Sequence, residues 1–172
     1  MNNKNIYLII ILSVLALIAR LIWHLPNFSP LASLILFAGY YTPKKYWPLP
    51  FVSLFISDLI LGFYAWPVML SVYAASALNL YLGKLLQKND TALNIASSTL
   101  ASALIFFFVT NFAVWASGDW YAHNLSGLSL CFALAVPFFK NTLLSNILYT
   151  GLIFAPVKIF ATIRSKQVLS NK

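Results

Sequence analysis

At 172 residues the chain is one domain's worth, and 61% of it is hydrophobic against 8% charged, with a mean hydropathy of +0.84. A soluble core of that size cannot absorb so much apolar surface, so the expected solvent is a bilayer and residues 1–172 form a single transmembrane domain. The net charge of +8 does not point to nucleic acid, because the basic residues lie between and beyond the apolar runs and not among stacking aromatics on a polar face.

Lys4 precedes a long apolar run, Ile6 to Trp23. A signal peptide has a shorter apolar core and a small-x-small cleavage site, so a retained first helix is expected over about 5–23. Ser29 and Pro30 then provide an N-cap and a first helical residue for a second helix, which Pro43 stops after Thr42. About 12 residues at 1.5 Å rise reach about 18 Å, short of a ~30 Å hydrocarbon core. The Asn27-Phe28-Ser29-Pro30 segment is therefore expected below the membrane surface, where irregular backbone must be buried in protein or line a cavity.

The third helix, 47–64, carries Asp58 inside its apolar run. A carboxylate at that depth costs roughly 2.5–3.5 kcal/mol at the helix centre, so it must face protein, water or a ligand. Helices four and five follow over Pro67–Leu86 and about 92–116. The apolar stretch Gly127–Phe139 is short and is interrupted by Pro137 and Lys140-Asn141. It is expected to be a re-entrant or interfacial helix before a last span over about 141–163.

The predicted fold is all-α, a bundle of six transmembrane helices with the second one short. Nine basic residues then share one side: Lys4, Lys44, Lys45, Lys84, Lys88, Lys158, Arg164, Lys166 and Lys172. Only Arg20 and Lys140 lie toward the other. That asymmetry puts both termini in the cytoplasm, with the protein in the bacterial inner membrane.

On this topology the polar residues collect in the outer half. Arg20, Asn27, Ser29, Asp58, Tyr73, Asn111, Trp115, Asn146 and Tyr149 all fall there. Thr142, Ser145, Asn146 and Tyr149 make a stripe at i, i+3, i+4, i+7 on the last helix. An apolar pocket with a few placed polar groups suits a small solute. The candidate substrate-binding set is Asn27, Ser29, Asp58, Tyr73, Asn111, Trp115, Asn146 and Tyr149. Arg20 and Asp58 also fit a structural ion pair, which is compatible with a ligand role. Asn111 and Asn146 fit helix–helix hydrogen bonding as well, and Trp66, Trp115, Trp120 and Tyr121 fit an interfacial aromatic belt.

Catalytic chemistry is not expected. Gly83-Lys84 lacks the rest of a phosphate-binding loop, and no G-x-S-x-G or H-E-x-x-H occurs. His24, His123 and Cys131 have no metal-ligand spacing, and a single cysteine excludes an intrachain disulfide. No cofactor and no metal is expected.

Several motifs together carry a resemblance: Asn27-Phe28-Ser29-Pro30, Leu36-Phe37-Ala38-Gly39, Ser57-Asp58-Leu59 with Gly62, Val72-Tyr73, Phe107 to Phe112 with Trp115, and Pro137-Phe138-Phe139 with Asn141. The chain resembles an uncharacterised bacterial family described as membrane transport proteins. More loosely it is similar to the substrate-binding S components of energy-coupling factor (ECF) vitamin transporters, in size, topology and site position. That resemblance implies a vitamin-like solute taken up from outside, and an energy-coupling transmembrane subunit with ATPases as partner. The alanines four apart that dock many S components are not matched by Ser13, Ala16 and Ala19. The alternative is a structural or assembly subunit of the membrane, with a membrane-embedded enzyme behind it.

Overall fold

Leu31–Tyr41 is a helix with one polar side chain, Ser33, short of its terminal tyrosines. A helix that is apolar all round has no face to give to water and belongs inside. In the computed structural model, which describes residues 4–22 and 25–170, that helix is the centre of the molecule. Residues 33–39 are all buried. The chain forms α1 (Lys4–Ile22), α2 (Leu31–Tyr41), a 3-10 turn (Lys44–Tyr46), α3 (Pro48–Leu61), α4 (Trp66–Leu86), α5 (Ala92–Ser117) and α6 (Leu125–Ser170). α2 packs against each of the other five α-helices. The expected last residue of the first helix, Trp23, and the residues His24 and Lys172 lie outside the described residues.

Boundaries follow local chemistry. α2 runs from Leu31, one residue after the expected Pro30, and Ser29 Oγ accepts from the Leu31 amide at 3.3 Å. α3 ends at Leu61 and not at Tyr64, because Gly62 turns to φ +95°, which a side chain would resist. Thr91 caps α5 by accepting from the Asn94 amide at 3.2 Å.

Two glycines decide how α2 and α4 meet. A Cβ on Gly39 would stand 2.0 Å from the Leu80 carbonyl oxygen, and one on Gly83 would stand 1.9 Å from that of Leu36. Each helix thus lays its backbone on the other's glycine, which only the absence of a side chain permits. The adjoining end of the bundle is tied by polar groups. Gln87 Nε2 donates to the carbonyls of Gly39 and Tyr40, both at 3.0 Å, at the C-terminal end of α2. Asp90 receives the Tyr40 hydroxyl and the Lys158 ammonium, and so joins α2, the α4–α5 loop and α6. Lys44, Lys45, Lys84 and Lys88 belong to the same end.

One expectation is corrected. The segment 127–139 is not a separate short helix, and Pro137 does not end the helix. α6 is continuous for 46 residues through both Pro137 and Pro156. An internal proline costs about 3 kcal/mol in a helix. The reason it does not prevail here lies in packing. Buried Gly127, Cys131 and Ala135 before Pro137 continue into buried Thr142, Ser145, Asn146 and Thr150 after it, so one stripe stays against the neighbouring helices. At about 69 Å, α6 is far longer than a ~30 Å hydrocarbon core.

Three helical segments among the described residues are long and apolar enough to cross a membrane: Trp66–Leu86, Ala92–Ser117 and Leu125–Ile163. Large apolar side chains also cover the outside. Leu59, Ile60, Leu70 and Phe160 are more than half exposed. Soluble monomers rarely present such continuous apolar surface.

Two outcomes test this packing. Gly39→Ala and Gly83→Ala should each lower the melting temperature in detergent, with a loss of about 1–3 kcal/mol from overpacking, whereas Gly151→Ala, which meets nothing within 4 Å, should leave it unchanged or raised. The second concerns pH. The hydrogen bond from Lys158, then that from Tyr40, holds the Asp90 carboxyl below its ordinary range. A carboxylate lowered in the folded state stabilises above its unfolded pKa, about 3.9, and loses that contribution as pH falls through the folded value. The difference in melting temperature between wild type and Asp90→Asn should therefore be full at neutral pH and shrink below about pH 4.

Candidate functional site

Because α2 spans only about 16 Å, it fills the lower part of the bundle interior and leaves the space above its first turn open. A cavity of about 340 Å³ lies there. Its floor is Leu31, Ala32 and Ile35 of α2. Its walls are Arg20 and Leu21 of α1, Leu54 and Leu61 of α3, Val72 and Ser76 of α4, Phe106 of α5, and Thr142, Ser145 and Asn146 of α6. Leu25, Asn27, Phe28 and Ser29 cover it. Leu25, Asn27 and Leu61 are exposed, so the cavity has its mouth on the side of the 25–30 segment.

That segment is held in shape by its own residues and by α6. Asn27 adopts φ 58°, a left-handed conformation that asparagine tolerates better than most side chains. Asn141 Nδ2 donates to the Pro26 carbonyl at 3.1 Å. The Phe28 ring meets Tyr149 edge-on, with centroids 5.9 Å apart.

The charged group of the wall is Arg20. Its guanidinium donates to Asp58 Oδ1 at 2.7 Å, to the Ser57 hydroxyl and to the Leu54 carbonyl at 3.4 Å. Asp58 is 1% exposed and also receives the Tyr73 hydroxyl at 3.1 Å. The cluster thereby joins α1, α3 and α4. Asp58 and Tyr73 are not among the residues that line the cavity, whereas Arg20, paired with Asp58, is.

Asn146 is 2% exposed and sits where three helices meet. Its Nδ2 donates to Ser102 Oγ of α5 at 3.4 Å, and its backbone carbonyl accepts from Ser33 Oγ of α2 at 3.2 Å. Thr150 donates to the same Ser33 hydroxyl at 3.1 Å. The side-chain oxygen of Asn146 has no partner among the described residues. A buried amide oxygen left unpaired costs about 1–3 kcal/mol.

The remaining expected site residues lie elsewhere. Asn111 is outside the cavity; its side-chain amide donates to the Phe107 carbonyl of its own helix at 2.7 Å, and its backbone carbonyl faces Cys131 Sγ at 3.5 Å. Trp115 is also outside. Its indole N–H donates to the Ala122 carbonyl at 3.0 Å and its ring meets His123. Both belong to the α5–α6 hairpin, where facing Phe107, Phe132 and Phe139 form the contact. Tyr149 does not line the cavity and meets its cover at Phe28. Of the expected set, Asn27, Ser29 and Asn146 line the cavity. The sequence did not single out Ser76, Ser102 or Phe106, and it named Ser57 only within the Ser57-Asp58-Leu59 motif. Among the described residues no three of His, Cys, Asp and Glu are grouped to hold a metal ion.

A double-mutant cycle tests the wall. Removing one partner of a buried pair costs about 3–5 kcal/mol. Asp58→Asn and Arg20→Gln should each lower thermal stability, and the double variant should lose less than their sum. Strict additivity of the three melts would contradict a direct contact. Tyr73→Phe should cost about 1 kcal/mol, the net worth of one hydrogen bond.

No curated protein and no solved structure matches this chain. A family profile does, over residues 1–168, and the chain belongs to that family, DUF6580, a family of unknown function.

Proposed function

We propose that this protein is a membrane transport protein that binds a small, vitamin-like solute in the cavity above α2, taking it up from the extracytoplasmic side. The observation that carries the reading is the cavity itself. It has about 340 Å³, apolar walls and a few polar groups, Arg20 and Asn146 among them. Solute pockets occupy about 300–1,000 Å³ and have that composition. The irregular 25–30 backbone above a short helix is the arrangement by which transporters bring backbone groups to a solute within the membrane.

In this reading all six α-helices are embedded in the bacterial inner membrane. The orientation follows from charge. Lys44, Lys45, Lys84, Lys88 and Lys158 lie at the end opposite the cavity mouth. Positive residues favour the cytoplasm, so that end faces inward and the mouth outward. An energy-coupling transmembrane subunit with ATPases is the partner that the similarity to S components suggests. Binding, not catalysis, is the chemistry of the site.

Native mass spectrometry of the protein released from its own membranes tests this. A small molecule should accompany the wild type, and Ala32→Phe, which fills the floor of the cavity, should lose it while melting within a few degrees of wild type. A wild type that carries nothing would contradict the reading, as would an Ala32→Phe variant that retains the molecule.

A further inference from the structure

The polar groups of the cavity are of two chemically opposite kinds. At the floor, the first α2 amides have no intrahelical carbonyl to meet. The first bond of the helix is Leu34 N–H to the Pro30 carbonyl, at 2.9 Å, and the Leu31 amide is taken by Ser29. The amides of Ala32 and Ser33 remain, at the positive end of the helix dipole. Arg20 lines the same space and is, among the described residues, the one charged side chain that does. Asp58 neutralises it from within the wall and is not itself part of the lining. Of Ala32 and Ser33, Ala32 lines the cavity, so the donors on this side are the Arg20 guanidinium and the α2 N-terminus at Ala32. Asn146 lines the same cavity, 2% exposed, with an amide oxygen that no group among the described residues satisfies. That atom is an acceptor in want of a donor.

We propose that the solute of this cavity is a small monoanionic or carbonyl-bearing ring compound, its acceptor end held by Arg20 and the α2 N-terminus and an N–H or O–H donor presented to Asn146. This rests on the solute-binding reading above and specifies its ligand. The apolar lining, Phe106 and Val72 among it, takes the ring. A cationic solute has no carboxylate in the lining to meet and would face the positive end of a helix dipole. A bare hydrocarbon would leave donors and acceptor unpaired, and buried unpaired groups reject such analogues strongly.

Three probes of one size separate the elements: 4-aminobenzoate, benzoate and benzylamine, titrated by calorimetry and by thermal shift into the intact protein in detergent. Benzoate should bind about tenfold or more tighter than benzylamine, the worth of a charge-assisted hydrogen bond. 4-Aminobenzoate should bind tighter than benzoate, and that advantage should vanish in Asn146→Leu while benzoate binding remains. Should Asn146→Leu not fold, Asn146→Ser serves the same comparison. Benzylamine binding as well as benzoate overturns the proposal, and so does an amino-group advantage that survives removal of Asn146. Binding of none of the three overturns it too. If a small molecule still accompanies the wild type in the mass spectrum, the ligand class alone falls; if none does, solute binding falls with it.

Discussion

The close approach of α2 and α4 at Gly39 and Gly83 fixes the height of α2 against α4, and the cavity follows from that height. With each glycine pressed on the other helix's carbonyl, at 2.0 Å and 1.9 Å from where a Cβ would sit, neither helix can slide without a clash. Gln87 and the Asp90–Lys158–Tyr40 group hold the C-terminal end of α2 in the same place. Eleven residues run upward from there and stop at Leu31. The surrounding helices continue, so the space above the first turn has no protein to fill it. Interiors are packed to crystal-like density, which makes a cavity of this size a feature with a reason.

Polar groups then shape the upper wall. Charges in an apolar interior are tolerated when paired and hydrogen-bonded. Arg20 and Asp58 meet that condition through Ser57, Tyr73 and the Leu54 carbonyl. The cluster is also the polar link from α1 and α3 to α4. Asn146 does not meet the condition, because one of its amide atoms lacks a partner. The wall is thus closed electrostatically at one point and unsatisfied at another, and in the proposed function the second point is the one left for a solute.

Much of this was legible in the sequence, and the limits have physical causes. The helices announced themselves by apolar runs bounded by prolines and glycines. The pairing of Arg20 with Asp58 followed from the scarcity of acidic residues and the cost of a buried carboxylate. The short α2 and the role of the Asn27 to Ser29 segment followed from counting residues between Pro30 and Pro43. Asn111 and Trp115 were misplaced because depth is readable from position along a helix, whereas facing is not when polar and apolar residues are spread all round it, as on α5. The break at Pro137 was misjudged because a proline's cost is local, and the stripe from Gly127 to Thr150 that outweighs it acts through α5 and α2. The glycine crossing was invisible as such: Gly39 and Gly83 are 44 positions apart, and only the fold shows that they face one another's helix.

An experimental structure of the protein extracted with its own lipids tests the central claim most directly. The account predicts non-protein density above the first turn of α2, bounded by Arg20, Phe106 and Asn146, with the Asn146 amide in contact with it. A space closed by Leu25 and Phe28 folded onto α2, with Asn146 paired to protein and no density between, would contradict it.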